Sequence, residues 1–479
     1  MRVKSPGTRQ DRPRVILLAA ALVAGLGGAS PLQALERGEP VLWRKVAVPE
    51  ELLDTAQVEG QTLRYGGDLR MGDLTGSGRV DFVVYRSAEG GIKPCFLGAF
   101  DDEGKTLWHT GRGGAQPVRP GAVLVHDLDG DGRTEVVCFF RDPKKRATPG
   151  RFGDMVVQVR DGATGRIERQ AAPDALTRWA VATAGTHGNW CHQRLLAANL
   201  RGTDTARDFV VKLGFTVLAF DEHLRLLWQH TIPEHKAYEH ASYTPAVGDI
   251  DGDGRDEVFG GRYLLDHDGQ PVWQRVLAHH MDSVAITLWD GDNVRSICSG
   301  YGHVLDAQGR VLLELGAEAV PHGQEVRVAD FAPELPGREM MIRYRGHRPD
   351  VMLVGNDGAI VKRFKLNHSP NETGMEAVYW NGTRGPAVLV NGGVLWHGTG
   401  RRLAALPDLP PPAGPKRPAR TMAWYHAIPG DVAGDRREEV VVYNPWDRFV
   451  WIYTPAPLDR DPYQGYRPGP RQVNPRLMD

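Results

Sequence analysis

Short apolar runs recur along the chain, each introduced by a cluster of Asp, Asn and Gly. Asp81-Phe-Val-Val-Tyr, Glu135-Val-Val-Cys, Asp208-Phe-Val-Val and Glu439-Val-Val-Val read as buried strands of roughly four to eight residues. No long apolar stripe of helical period competes with them. The polar cluster before each run is itself patterned: Asp127-Leu-Asp129-Gly-Asp131-Gly-Arg-Thr-Glu135 in one copy, Asp249-Ile-Asp251-Gly-Asp253-Gly-Arg-Asp-Glu257 in another. Weaker copies begin at Asp73, Asn199, Asp290, Asp330 and Asp431, with a degenerate one near Asn381. From Asp73 to Asp431 the spacing averages about 51 residues, a period typical of propeller blades.

Each unit has a second half in which strand, Asp/Gly turn and strand follow one another, as in Leu265-Asp-His-Asp-Gly-Gln-Pro-Val-Trp273 and Gly98-Ala-Phe-Asp-Asp-Glu-Gly-Lys-Thr-Leu-Trp108. Four strands per unit make one blade. The last unit runs out of chain near Phe449-Val-Trp-Ile-Tyr453, and the N-terminal stretch Val41-Leu-Trp43-Arg-Lys-Val-Ala-Val resembles the outer strand it lacks. The expected fold is therefore an all-β single propeller of four-stranded blades spanning 35–479, its ring closed by N- and C-terminal strands so that no edge is left open. Eight blades are favoured; seven is the alternative, if the cramped unit at Asp290 is only a loop.

Carboxylates at the first, third, fifth and ninth positions, with glycines that let the backbone curl, wrap a hard cation in oxygen ligands. Calcium is expected at Asp127, Asp129, Asp131 and Glu135 and at Asp249, Asp251, Asp253 and Glu257, in a structural role. In weaker loops Thr75, Arg201 and Ala433 replace a ligand carboxylate, and no metal is expected there.

Composition changes the picture little. Gly 57 and Pro 34 suit a turn-rich β protein, and a net charge of −1 leaves no field to recruit nucleic acid or an anionic membrane. Residues 1–34 read as a secretory signal peptide: Arg9, Arg12 and Arg14, then the apolar run from Val15, then small residues up to Ala34. An uncleaved anchor is the rival reading. The protein is expected to be secreted or periplasmic, monomeric, and off the membrane once the signal is removed. Cys95, Cys138, Cys191 and Cys298 lie far apart without a CxxC and read as single buried thiols.

Residue usage departs from strand filling between His187 and His303, a stretch holding ten of the 17 histidines. It includes His192, Lys212, Tyr238, His240, Tyr243, Arg262, His279, His280 and Asp282. A second metal such as zinc is conceivable from His279, His280, Cys298 and His303, although their spacing matches no finger or ribbon.

Within this stretch Tyr243-Thr-Pro-Ala-Val-Gly-Asp-Ile-Asp-Gly-Asp-Gly-Arg-Asp-Glu-Val, Gly261-Arg-Tyr-Leu-Leu-Asp-His-Asp-Gly and His279-His-Met-Asp282 resemble the central blades of β-propeller polysaccharide lyases of the rhamnogalacturonan lyase and ulvan lyase type, built on FG-GAP-like calcium-loop repeats. The closing phrase Arg471-Gln-Val-Asn-Pro-Arg-Leu-Met-Asp479 is similar to tails in that group. The resemblance implies an anionic, uronate-containing polysaccharide as partner and cleavage by β-elimination. That chemistry needs a neutralised carboxylate, a base for the C5 proton and an acid for the departing O4. On the matching positions it implies Tyr243 as base or acid, His192 as its partner and Arg262 as the carboxylate clamp, with His240 a further catalytic candidate. Lys212, His280 and Tyr238 are expected to contact substrate. Two other classes stay open: a non-catalytic, calcium-stabilised binding propeller, and a quinone-cofactor or assembly-factor propeller, whose turn Val159-Arg-Asp-Gly-Ala-Thr-Gly-Arg-Ile echoes.

Overall fold

A computed structural model describes residues 38–53, 57–58, 61–62, 65–88, 93–110, 114–116, 123–141, 155–174, 195–213, 215–232, 240–242, 244–278, 280–368, 373–382, 385–412, 425–444, 447–456 and 465–469. The expected leader, 1–34, lies outside them. No helix among the described residues is long and apolar enough to cross a membrane.

Eight antiparallel four-stranded blades follow one another around a ring. Blade 1 comprises Tyr65–Gly72, Asp81–Ala88, Lys93–Phe100 and Thr106–His109, and blade 2 Val123–His126, Glu135–Arg141, Met155–Asp161 and Ile167–Ala171. Blade 3 is Leu195–Ala198, Asp208–Leu213, Thr216–Phe220 and Leu226–Thr231; blade 4 is Ala246–Gly248, Glu257–Phe259, Tyr263–Leu265 and Pro271–Gln274. Blade 5 is Val284–Asp290, Asn293–Cys298, His303–Leu305 and Val311–Leu313, so the cramped unit at Asp290 is a full blade whose first hairpin is tight. Blade 6 is Glu325–Ala329, Glu339–Arg343, Asp350–Val354 and Ile360–Lys365; blade 7 is Glu376–Val378, Val388–Asn391, Val394–Trp396 and Arg402–Ala405. Blade 8 takes His426–Gly430, Glu439–Tyr443 and Phe449–Pro455 from the end of the chain and Pro40–Ala47 from its beginning.

The core lies between blades. Eight clusters of buried apolar side chains occupy the eight junctions, from Val83, Tyr85, Val125 and Val136 between blades 1 and 2 to Val46, Leu69, Phe82 and Ile452 between blades 8 and 1. Apolar side chains on both faces of each inner strand are what make those runs continuous rather than alternating. The paired signals of Trp and Asp/Gly turn now have one cause. The indole of Trp228, on the outer strand of blade 3, donates to the carbonyl of His267 in the turn of blade 4, at 2.7 Å. A Cβ at Gly269 of that turn would lie 2.6 Å from the indole, and the residue adopts φ +81. Trp108 repeats the arrangement against the blade-2 turn, donating to Gly162 at 2.7 Å and filling the space beside Gly165.

Two features have no counterpart in the repeat: a small hairpin pairing Gln57–Val58 with Gln61–Thr62, and a strand that links two blades. Gly114–Gln116 pairs with blade 1 at Cys95 and with blade 2 at Arg141, joining both blades into one nine-stranded sheet. Cys138 and Cys298 are free and buried, in keeping with their reading as core thiols.

Strand direction sorts the loops between two faces of the ring. The first and third strands of a blade run one way and the second and fourth the other. The acidic loops, which join first strand to second, therefore share a face with the Asp/Gly turns. The turns joining second strand to third, and the segments leading into each new blade, emerge on the opposite face.

Candidate active site

Three consecutive lead-in segments bring a histidine to that second face: His240 before blade 4, His280 before blade 5 and His322 before blade 6. Asp282 accompanies His280. The backbones of His240 and His280 form a parallel bridge, which fixes their separation. Nε2 of His240 lies 3.3 Å from Oδ1 of Asp282, and Nδ1 of His280 lies 3.3 Å from the same Nε2. The second oxygen of Asp282 meets Nε2 of His322 at 3.2 Å. The rings of His280 and His322 stack at 4.3 Å with a 16° interplanar angle, and His240 meets His280 edge-on.

Tautomers follow from the partners. The carbonyl of Ala241 can only accept, so at 3.0 Å from Nδ1 of His240 it puts the ring proton on that nitrogen. Burial holds the imidazole of His240 below its usual pKa, against the opposing charge of Asp282 and with help from Lys212 and Arg262. A neutral His240 then turns a bare Nε2 lone pair toward a carboxylate and a second imidazole. His240, His280 and Asp282 each offer a ligand atom to the others within 4.8 Å. Separations of 3.3 Å are those of adjacent ligands about 2.0–2.2 Å from a common metal ion, so the donor set and its geometry fit a divalent cation.

Two cations border the cluster. Lys212 lies one residue before the end of the second strand of blade 3, and Arg262 lies in the following blade's turn between second and third strands. Both side chains are buried, and Nη2 of Arg262 donates to the carbonyl of Ala278 at 2.7 Å. Arg262 thus reaches the lead-in that carries His280 and adds fixed positive charge beneath it.

On the opposite face the two strong acidic loops carry their own ligand geometry. Asp127, Asp129 and Glu135 converge, as do Asp249, Asp251 and Glu257. Backbone N–H groups of Gly130 and Gly132 hold Asp127, and Leu128 N–H holds one oxygen of Glu135 at 2.7 Å. Burial, with the neighbouring aspartates added, pushes Glu135 and Glu257 up to about 8. Oδ1 of Asp129 and Oε1 of Glu257 are buried without a hydrogen-bond partner, as expected of oxygens shaped for a cation. Asp131 and Asp253 stand outside these triads; each accepts an N–H two residues on, from Arg133 and Arg255 at 2.8 Å.

No protein-family model matches the chain. Over an alignment of 264 positions that covers 46% of this chain, it is 26% identical to the rhamnogalacturonan endolyase YesW of Bacillus subtilis, and equally to the rhamnogalacturonan exolyase YesX of that organism. Its sequence relatives are rhamnogalacturonan lyases. The chain spans 42% of the length of each. The fold agrees: the crystal structure of YesW superimposes with a TM-score of 0.64 at 19% identity, over 86% of this chain and 75% of that one. A rhamnogalacturonan lyase of Bacillus licheniformis gives 0.62, again at 19% identity and over the same shares of the two chains. The all-β propeller and the resemblance to rhamnogalacturonan lyases are therefore both present in the molecule.

Of the residues expected at a lyase site, the structure gathers His240, His280, Lys212 and Arg262. Tyr243, His192 and Tyr238 lie outside the described residues. The expected second metal group is regrouped. His279 lies outside the described residues, while Cys298 Sγ and His303 Nδ1 both turn to the Gly300 carbonyl, at 3.8 and 2.7 Å. His280 gathers with His240 and Asp282 instead, because blade-to-blade stacking juxtaposes successive lead-ins. His322 was not among the expected residues. Its signal was its phase: His240, His280 and His322 recur about 40 residues apart, at the same point of three successive blades.

Proposed function

We propose that this chain is a secreted polysaccharide lyase that cleaves a uronate-containing polysaccharide of the rhamnogalacturonan kind by β-elimination, at the histidine cluster. The observation that carries the reading is the convergence of His240, His280 and Asp282 with Lys212 and Arg262 on the face away from the acidic loops. In the reaction a base removes the C5 proton, the C4–O4 bond breaks, a C4=C5 double bond forms, and the departing O4 takes up a proton. A divalent cation held by His240, His280 and Asp282 supplies neutralisation of the uronate carboxylate when bound. Lys212 and Arg262 add positive potential that favours the uronate anion, and Arg262 also braces the lead-in carrying His280. Tyr243, with His192 as its partner, is assigned the proton transfers, and Tyr238 a substrate contact. Calcium at the Asp127 and Asp249 loops holds those blades from the far face and takes no part in bond breaking.

The test is an ultraviolet assay on the protein from residue 35 onward with calcium present, offering rhamnogalacturonan first, then ulvan and other uronans. Absorbance of a 4,5-unsaturated product should rise on one substrate. His240→Ala and Tyr243→Phe should each lower that rate by at least about 100-fold. Silence on every uronan from folded, cation-binding protein would move the reading to a non-catalytic binding propeller.

A further inference from the structure

We infer that His322 is the positioning residue of the cluster: by holding the carboxylate of Asp282 and the ring of His280, it sets the affinity of the His240, His280 and Asp282 site for its cation. The inference rests on the cation reading proposed above. The buried carboxylate of Asp282 is shared between blades, Oδ1 facing Nε2 of His240 at 3.3 Å and Oδ2 facing Nε2 of His322 at 3.2 Å. A carboxylate only accepts, so His322 presents its Nε2–H to it. That contact fixes the carboxylate's rotation, leaving Oδ1 aimed at the point where His240 and His280 converge.

The same ring covers His280 face to face at 4.3 Å, so one side chain from the blade-6 lead-in restrains two groups of the blade-5 lead-in. His322 is restrained in turn. Its N–H donates to the Tyr344 carbonyl at 3.2 Å, its carbonyl accepts from Gly346 N–H at 2.8 Å, and it bridges in parallel with Arg345. Gly346 has φ +59, and a Cβ there would lie 3.3 Å from Cγ and Nδ1 of the His322 ring. The ring is seated in a slot made by the turn of its own blade while its working edge crosses to the lead-in of blade 5. Partners of this outer kind orient a metal's direct ligands, and their loss typically lowers affinity about 10- to 100-fold.

The experiment uses Co²⁺ as probe, titrated into chelator-stripped protein under saturating Ca²⁺ so that the acidic loops are filled. The visible d–d band reports binding, and circular dichroism and melting temperature check the fold. Wild type should show a band that His240→Ala abolishes. His322→Ala should keep the shape of the band but shift its midpoint to about 10- to 100-fold higher Co²⁺. His322→Gln, whose amide can still donate to Asp282, should recover part of the loss. Unchanged affinity in both His322 variants would overturn the inference and leave the cation site standing. So would loss of the band in His322→Ala, since His322 would then be a direct ligand. No band in wild type would remove the cation reading, and this inference with it, whatever the lyase assay shows.

Discussion

Arg201 shows how one side chain can replace an ion. It occupies the third position of the blade-3 loop, where the strong loops carry an aspartate. Its Nε donates to Oδ1 of Asp208 at 2.7 Å and its Nη2 reaches Glu222 in the next turn. Backbone N–H groups of Leu200 and Arg201 hold the other oxygen of Asp208. The guanidinium thus supplies the positive charge that a cation would supply if bound at the Asp249 loop. Other weak loops solve the problem with hydroxyls: Thr75 Oγ1 donates to Asp81 at 3.0 Å, and Thr454 Oγ1 to Glu439 at 2.9 Å. Because Asp208 is fully buried, Arg201→Ala should cost about 2–3 kcal/mol in chemical denaturation. Added calcium should not restore it, since Asn199 and Arg201 have already removed the ligands. A variant as stable as wild type would show that Asp208 is satisfied by its backbone bonds alone. That Arg201 replaces a ligand carboxylate could be read from the sequence; that it also binds Glu222 could not, because the partner belongs to a turn brought near only by the folded blade.

The acidic loop is an element whose stability depends on pH and, if a cation binds it, on that cation as well. In the absence of a cation Glu135 and Glu257 titrate near 8, far above an unfolded glutamate near 4.5, because burial and adjacent aspartates disfavour their charged forms. Between those values the native chain binds more protons than the unfolded one. The stability of chelator-treated protein should therefore fall as pH rises from about 5 to about 8, the slope being negative wherever the native state holds the extra proton. A bound cation keeps the carboxylates ionised and removes that slope. Melting temperatures at pH 5, 6, 7 and 8 should diverge progressively between chelator and Ca²⁺, most at pH 8, by several degrees. Curves that coincide across the range would mean the loops hold no cation. These loops were legible because spacing and residue type carry their chemistry locally. The histidine cluster was legible only in part. His240, His280, Lys212 and Arg262 stood out by composition, whereas the pairing of His322 with Asp282 depends on the stacking of blades. The strand Gly114–Gln116 carries no repeat signal and was not foreseen.

The whole ring depends on one seam. Pro40–Ala47 completes blade 8 against Phe449–Pro455, and Ala456 N–H donates to Glu39 across it at 2.8 Å. The seam is tied sideways as well: Trp380 donates to the Gly38 carbonyl at 2.6 Å and Arg44 pairs with Asp102 of blade 1 at 2.6 Å. Val46, Val48 and Leu52 are buried in the junction between blades 8 and 1. Burying three such side chains is worth roughly 5–8 kcal/mol, an appreciable part of the stability of any domain. A chain starting at residue 54 would lose that burial and expose Phe449–Pro455 as an unpaired apolar edge, an invitation to association. Such a truncation should melt well over 10 °C lower than protein starting at residue 35, and should scatter light as oligomers. A synthetic peptide spanning 38–53, added in excess, should raise the melting temperature and reverse the association, because it restores the missing strand without altering the rest of the ring. An unsealed propeller that melts like the closed one, and associates no more than the closed one does, would show that seven complete blades hold their curvature unaided. The histidine cluster on blades 4 to 6 would then owe nothing to closure. If instead the truncation also loosens Co²⁺ binding across the ring, the lead-in segments of distant blades share a single mechanical frame, and the seam sets the geometry of the site.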